Sequence, residues 1–145
     1  MRRINIGLIG AGVLGLKRIQ NLPKNFKFIG CADPLISLKK LNFRNKNILL
    51  TKNWKELISL KNLESIIIAT THHLHSEILE ECIKKDIHIF IEKPAGISSV
   101  KTKLIISRLK KKKNLILRVG FNHRYHPAFL KAKKMIKKKK IGKIL

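Results

Sequence analysis

Short apolar runs alternate along this chain with stretches whose apolar residues recur at helical spacing. Ile4 to Ile9 is an apolar run of strand type, and the residues after Gly12 read as a helix. Phe26 to Ala32 alternates and predicts a second strand. Leu35 to Leu41 reads as a short helix, Ile48 to Leu50 as a short third strand, and Trp54 to Leu60 as a helical turn or two. Ser65 to Ala69 holds the unbroken β-branched run Ile66-Ile67-Ile68, the mark of a strand covered on both faces. A helix starts at Ser76 with Ile78, Leu79, Cys82 and Ile83 on its apolar face. His88 to Ile91 is the next strand. Ser98 or Ser99 caps a helix with Val100, Leu104 and Leu109 inward. Leu115 to Val119 is a sixth strand, and Ala128 to about Lys139 a last helix. This alternation predicts an α/β fold. The expected form is a Rossmann-type doubly wound parallel sheet of order 3-2-1-4-5-6, with its ligand across the C-terminal strand ends.

The turn after the first strand carries chemistry. It reads Gly10-Ala11-Gly12-Val13-Leu14-Gly15, a G-x-G-x-x-G string between a strand and a helix. Gly10 permits the tight turn, Gly12 lets backbone approach a pyrophosphate, and Gly15 lets the helix pack closely on the strand. The helix N-terminus offers N–H groups and a positive dipole end to phosphates. Asp33 ends the second strand, where a carboxylate accepts hydrogen bonds from a ribose diol and repels the extra phosphate of NADP. NAD is therefore the expected cofactor and NADP the less favoured one. Lys39 and Lys40, a few residues on, soften that preference.

Composition changes the picture little, and charge more. The 145 residues, 44% of them hydrophobic, suit a single domain over 1–145. Arg2 and Arg3 before an apolar stretch imitate a signal peptide, but Asn5 and the glycines interrupt it and no A-x-A site closes it. No run approaches the ~20 apolar residues of a membrane helix. Cys31 and Cys82 fall in a strand and a helix with no partner at metal spacing, so the expectation is two reduced core thiols, no metal, and a cytoplasmic protein. Thirty-three Lys and Arg face eight acids, a net charge of +25. That balance suits a polyanion surface. Yet the lysines are spread over nearly every element. The densest runs, Lys110 to Lys113 and Lys137 to Lys140, fall at helix ends, where they suit the dipole. With 6% aromatic residues and no aromatic–basic interleaving, no specific nucleic-acid site is expected.

The strand-end loops hold the other polar features. They are Thr70-Thr71-His72-His73-Leu74-His75, Glu92-Lys93-Pro94 and Gly120-Phe121-Asn122-His123-Arg124-Tyr125-His126-Pro127. All should converge beside the nicotinamide end of the crevice. His73 and His88 are expected at the surface.

These strings together resemble the N-terminal domain of the Gfo/Idh/MocA oxidoreductases, the family of glucose–fructose oxidoreductase and inositol dehydrogenase. The resemblance rests on G-A-G-V-L-G, Ala32-Asp33-Pro34, Ile68-Ala69-Thr70 followed by His75, Glu92-Lys93-Pro94, and Val119-Gly120-Phe121-Asn122 before Arg124. It implies hydride transfer between a sugar-type carbinol carbon and NAD(P). Lys93 is then the catalytic and substrate-binding amine that hydrogen-bonds the reacting hydroxyl and aids its deprotonation. It also implies cofactor contacts along Gly10 to Gly15, at Asp33, Thr70 and Thr71, and at His75, Glu92 and Lys93, with Arg124 lining the substrate side. Thr70-Thr71-His72 departs from the family's usual Thr-Pro-Asn, so the contacts of that loop differ. Family members continue beyond the segment matching Ile141-Gly142-Lys143-Ile144 into a second domain that positions substrate. The expectation is thus a cofactor domain with little activity alone, served by a separate second domain or by self-association. The alternative is a non-enzymatic basic nucleotide- or nucleic-acid-binding protein that keeps the fold.

Overall fold

A computed structural model describes residues 2–35 and 47–142. Strands β1 (Ile4–Ile9), β2 (Phe26–Ala32), β3 (Leu49–Thr51), β4 (Ser65–Ile68), β5 (His88–Ile91) and β6 (Leu117–Val119) form one sheet of order β3-β2-β1-β4-β5-β6. Every described pairing is parallel. The described helices are α1 (Val13–Gln20), α2 (Trp54–Ile58), α3 (His75–Lys84), α4 (Ser99–Lys110) and α5 (Pro127–Lys137), with 3-10 turns at His72–Leu74 and Asn122–Tyr125. The doubly wound order is the expected one.

Register brings the functional loops into one row. Ile9 pairs with Ala32 on one side and Ile68 on the other, Ile68 with Ile91, and Ile91 with Val119. The backbone ladder runs one step further through Gly10 N–H to Ala32 O (2.9 Å), Ala69 to Ile9 O, Glu92 to Ile68 O and Gly120 to Ile91 O (2.8 Å each). The glycine turn and the loops after β4, β5 and β6 therefore leave the sheet side by side.

Two cores follow from the strand alternation. On one face Ile66, Ile68, Ile89 and Ile91 pack with Leu57 and Ile58 of α2, Ile78, Leu79, Cys82 and Ile83 of α3, and Ile105 of α4. A fully buried Ile or Leu contributes ~1.5–3 kcal/mol. On the other face Ile6, Leu8, Cys31 and Ile67 meet Ile19 of α1 and Leu22 beyond it. That second face is partly bare among the described residues. Ile4, Phe26, Phe90, Ile116 and Arg118 border a hollow of about 220 Å³ that includes Ser65, whose buried hydroxyl has no hydrogen-bond partner.

Several local expectations shift. The third strand starts one residue later than expected, α2 stops at Ile58, and β6 starts at Leu117. Helix α3 opens at His75 because a 3-10 turn runs straight into it. Ser98 is the cap of α4, its hydroxyl accepting from Lys101 N–H. Of the three residues expected inward on α4, Leu109 packs against the core, but Val100 and Leu104 do not. Ile105 is the buried residue, with Leu109 half-buried four positions on, while Val100 is 75% and Leu104 45% exposed. At 3.6 residues per turn Val100 and Leu104 fall on other sides of α4 from Ile105. The last helix begins at Pro127, and its residues are exposed except for a half-buried Met135. From residue 36 on, the short helix expected at 35–41, with Lys39 and Lys40, lies outside the described residues. Both cysteines are buried free thiols. No described helix is long and apolar enough to cross a membrane.

Candidate functional site at the strand ends

The glycine turn is built as its spacing implies. Gly10 adopts φ +92°, and a Cβ there would lie 2.6 Å from the backbone of Ala69. At Gly15 a Cβ would meet the carbonyl oxygen of Gly10 at 2.0 Å, so α1 packs on the turn at a distance only glycine allows. Above Gly12 the reverse holds: nothing lies within 4 Å of a Cβ built there. Gly12 caps α1 with no side-chain hydrogen bond, and Val13 and Leu14 are exposed. The first N–H groups of a helix have no intrahelical acceptor, so this end presents donors to an open space.

Asp33 closes the other side of the turn. Its Oδ2 accepts the Ala11 N–H at 2.7 Å and its Oδ1 the Leu35 N–H at 2.8 Å. Each oxygen keeps a further lone pair. The carboxylate thus stands beside the glycine turn, half-buried, with capacity for a diol.

The three remaining loops are tied together in pairs. His75 is fully buried, its Nδ1 2.9 Å from Pro94 O and its Nε2 3.0 Å from Thr70 O. It joins the loops after β4 and β5 from inside and presents no surface to the cleft, so its place in the fold differs from the cleft-lining position expected of it. Glu92 is also internal. Its Oε1 accepts from Arg18 Nε at 2.7 Å, and the same guanidinium donates to Asn122 Oδ1 at 2.9 Å. Arg18 lies over the Phe90 ring, 5.0 Å from its centroid. A Cβ on Gly120 would lie 2.9 Å from Glu92 Oε2, so the bare backbone of Gly120 makes room for this carboxylate.

Lys93 sits between two anchored neighbours, Glu92 and Pro94. Its own side chain is exposed and makes no ion pair with any described residue. Thr70 is half-buried and Thr71 exposed on the neighbouring loop. Arg124 is exposed in the loop after β6, bordering a hollow of about 520 Å³ with Phe90, Arg118, Phe121 and Tyr125. His73 is exposed as expected, whereas His88 is half-buried and accepts the Ile116 N–H. Among the described residues no three His, Cys, Asp or Glu side chains gather to hold a metal ion.

Arg18 is not among the residues the sequence singles out, and Asn122 stands there only as part of the string Val119-Gly120-Phe121-Asn122, without a role. A signal for Arg18 exists: it lies three residues after the buried Gly15, on the inward face of an amphipathic helix.

Residues 4–121 match the Gfo/Idh/MocA oxidoreductase family, described by its NAD-binding Rossmann fold. The chain belongs to that family. Among curated Gfo/Idh/MocA-like relatives, levoglucosan dehydrogenase of Pseudarthrobacter phenanthrenivorans is 31% identical, matching all of this chain and 40% of that protein. Myo-inositol 2-dehydrogenase of Thermotoga maritima is 29% identical over 97% of this chain and 42% of its own length. The crystal structure of myo-inositol 2-dehydrogenase from Lactobacillus plantarum superposes with TM-score 0.86 at 25% identity, over 99% of this chain and 44% of that one. A scyllo-inositol dehydrogenase from Lactobacillus casei, solved with NAD(H) and scyllo-inositol bound, shares the fold at TM-score 0.87 and 20% identity, over 99% of this chain and 43% of that one. The chain spans about two fifths of the length of these relatives.

Proposed function

We propose that this chain is the NAD-holding part of an oxidoreductase acting on a carbinol carbon of a sugar, polyol or sugar nucleotide. One observation carries the reading. The open space over Gly12, the Asp33 carboxylate beside the same turn, and the exposed Lys93, without an ion pair among the described residues and two strands away, all lie along one row of strand ends. When bound, NAD supplies the hydride acceptor. The residues divide the remaining work. Backbone N–H groups at the start of α1 hold the pyrophosphate, with Val13 and Leu14 against the dinucleotide. Asp33 takes the ribose diol and disfavours a 2′-phosphate, so NAD is held over NADP. Thr70 and Thr71 line the cofactor side. The Lys93 ammonium hydrogen-bonds the substrate hydroxyl and stabilises the negative charge that develops there, while Arg124 borders the substrate.

Hydride transfer needs both reactants held in near-attack geometry. The residues that would hold substrate are few here, so residues 1–145 alone bind NAD and turn over little. A second domain, on further chain or supplied separately, completes the pocket. The test is titration of the chain with NAD, NADP and a single-stranded oligonucleotide at 50 and 300 mM salt. Saturable NAD binding that persists at the higher salt and exceeds NADP is expected. Binding only to the polyanion, lost with salt, would instead support a basic nucleic-acid-binding role.

A further inference from the structure

We infer that the bare face of the sheet holds a second ligand site, away from the cofactor end, for a small monocarboxylate with a compact apolar body. Register builds the site. Ile6 pairs with Ser65 and Ser65 with His88, so three strands set these side chains in one row on the α1 side of the sheet. In the next row Phe90 pairs with Arg118. Ile4 and Phe26 extend the apolar border of the resulting hollow, about 220 Å³ in volume. It lies over the starts of β1, β2, β4 and β5, whereas the glycine turn and Lys93 stand at the opposite ends of their strands.

The polar groups around this hollow can all donate. Ser65 is 7% exposed, and its hydroxyl has no hydrogen-bond partner. His88 accepts the Ile116 N–H at Nδ1 (3.2 Å), which leaves the ring proton on Nε2. Arg118 is exposed and forms no ion pair with any described residue. The carboxylate whose charge reaches His88, that of Glu64, is already held by Arg2 and by the Asn5 N–H. A hydroxyl, a ring N–H and a guanidinium set in apolar walls suit an anionic acceptor on an apolar body. A buried hydroxyl without a partner is uncommon in a folded protein, and a ligand oxygen that accepts from it supplies the missing bond. Size narrows the class. A cavity of ~150 Å³ accommodates benzene, so this hollow takes one ring and its carboxylate. It is smaller than the ~300–1,000 Å³ of sites for larger ligands, and so too small for a dinucleotide.

The test titrates the full 15N-labelled chain with benzoate, acetate and benzyl alcohol at low salt and follows the backbone amide shifts. Benzoate is expected to saturate, with shifts centred on Ser65, His88 and Arg118, and to bind at least about ten-fold tighter than acetate or benzyl alcohol. Ser65→Ala removes a hydroxyl the fold does not use and should weaken benzoate about ten-fold; Arg118→Gln should weaken it about five-fold. Acetate binding as tightly as benzoate would reduce the effect to the chain's positive charge and overturn the inference. So would shifts centred on residues 10–15, or unchanged affinity in folded Ser65→Ala. If a second copy of the chain covers this face instead, benzoate shifts are absent there and sedimentation shows a dimer, which also overturns it. None of these readings involves NAD, so failure of NAD to bind in the separate titration would count against the proposed function and not against this site.

Discussion

The Asp33 carboxylate accepts the backbone N–H of Ala11 at 2.7 Å, so the acid at the end of β2 and the glycine turn after β1 form one unit. Asp33→Ser is expected to weaken NAD binding and narrow the gap between NAD and NADP. It also removes charge-assisted bonds to Ala11 and Leu35, with a stability loss on the order of 1–3 kcal/mol. Calorimetric titration with both nucleotides, beside denaturant unfolding, separates the two effects. Equal or tighter binding of NADP by the parent chain would contradict the assigned preference.

Gly12 and Gly15 are expected to fail in different ways. Gly12 has extended backbone and open space around it, so Gly12→Val folds at a cost under about 1 kcal/mol. It blocks the approach of a pyrophosphate and weakens NAD at least ten-fold, about 1.4 kcal/mol. Gly15→Ala instead drives a methyl into the Gly10 carbonyl and destabilises the fold by roughly 1–3 kcal/mol. Normal NAD affinity in Gly12→Val would remove the cofactor from this turn.

Lys93 is exposed and has no ion-pair partner among the described residues, so Lys93→Ala should leave the unfolding midpoint and the NAD affinity nearly unchanged. In a chimera carrying the remainder of a relative, the same change should abolish most turnover. A large drop in NAD affinity with turnover intact would assign the lysine to the cofactor.

Burial pushes the thiols of Cys31 and Cys82 up to about 12. Near neutral pH both should resist alkylation in the folded protein and react quickly once denaturant unfolds it. The sign of the pH effect follows. An unfolded thiol loses its proton near its ordinary value of ~8.5, so between that value and about 12 the folded state holds more protons. Stability is fully present below this window and falls as pH rises through it. Cys31→Ala and Cys82→Ala unfolding curves from pH 8 to 11 should lose part of that slope.

The strand order, the glycine turn and the place of Asp33 were legible because each depends on local pattern: unbroken Ile66 to Ile68, glycines at fixed offsets, an acid closing a strand. The roles of His75 and Glu92 were not. Sequence shows a polar residue in a strand-end loop but not which way it turns, and here both turn inward onto partners 19 and 74 residues away in the chain. Arg18 stays hidden for the same reason, since its partners Phe90, Glu92 and Asn122 lie on β5 and in the loops after β5 and β6, which meet it only in the folded sheet. The face of α4 is only partly legible because apolar residues stand on several of its sides: Leu109 does meet the core, but Val100 and Leu104 do not, and Ile105 is buried in their place.

The half-bare sheet face over Phe90 and Ile116 has a colloidal consequence. An apolar hollow invites self-association, while a net charge of +25 holds copies apart. Salt removes only the second effect, because the screening length falls from about 10 Å at 0.1 M to about 3 Å at 1 M. Solutions of this protein should therefore stay dispersed when dilute in salt and cluster as salt is raised, visible by light scattering. Its binding to polyanions should weaken over the same range. Arg118 borders the hollow, and replacing it with an uncharged residue should move the onset of clustering to lower salt.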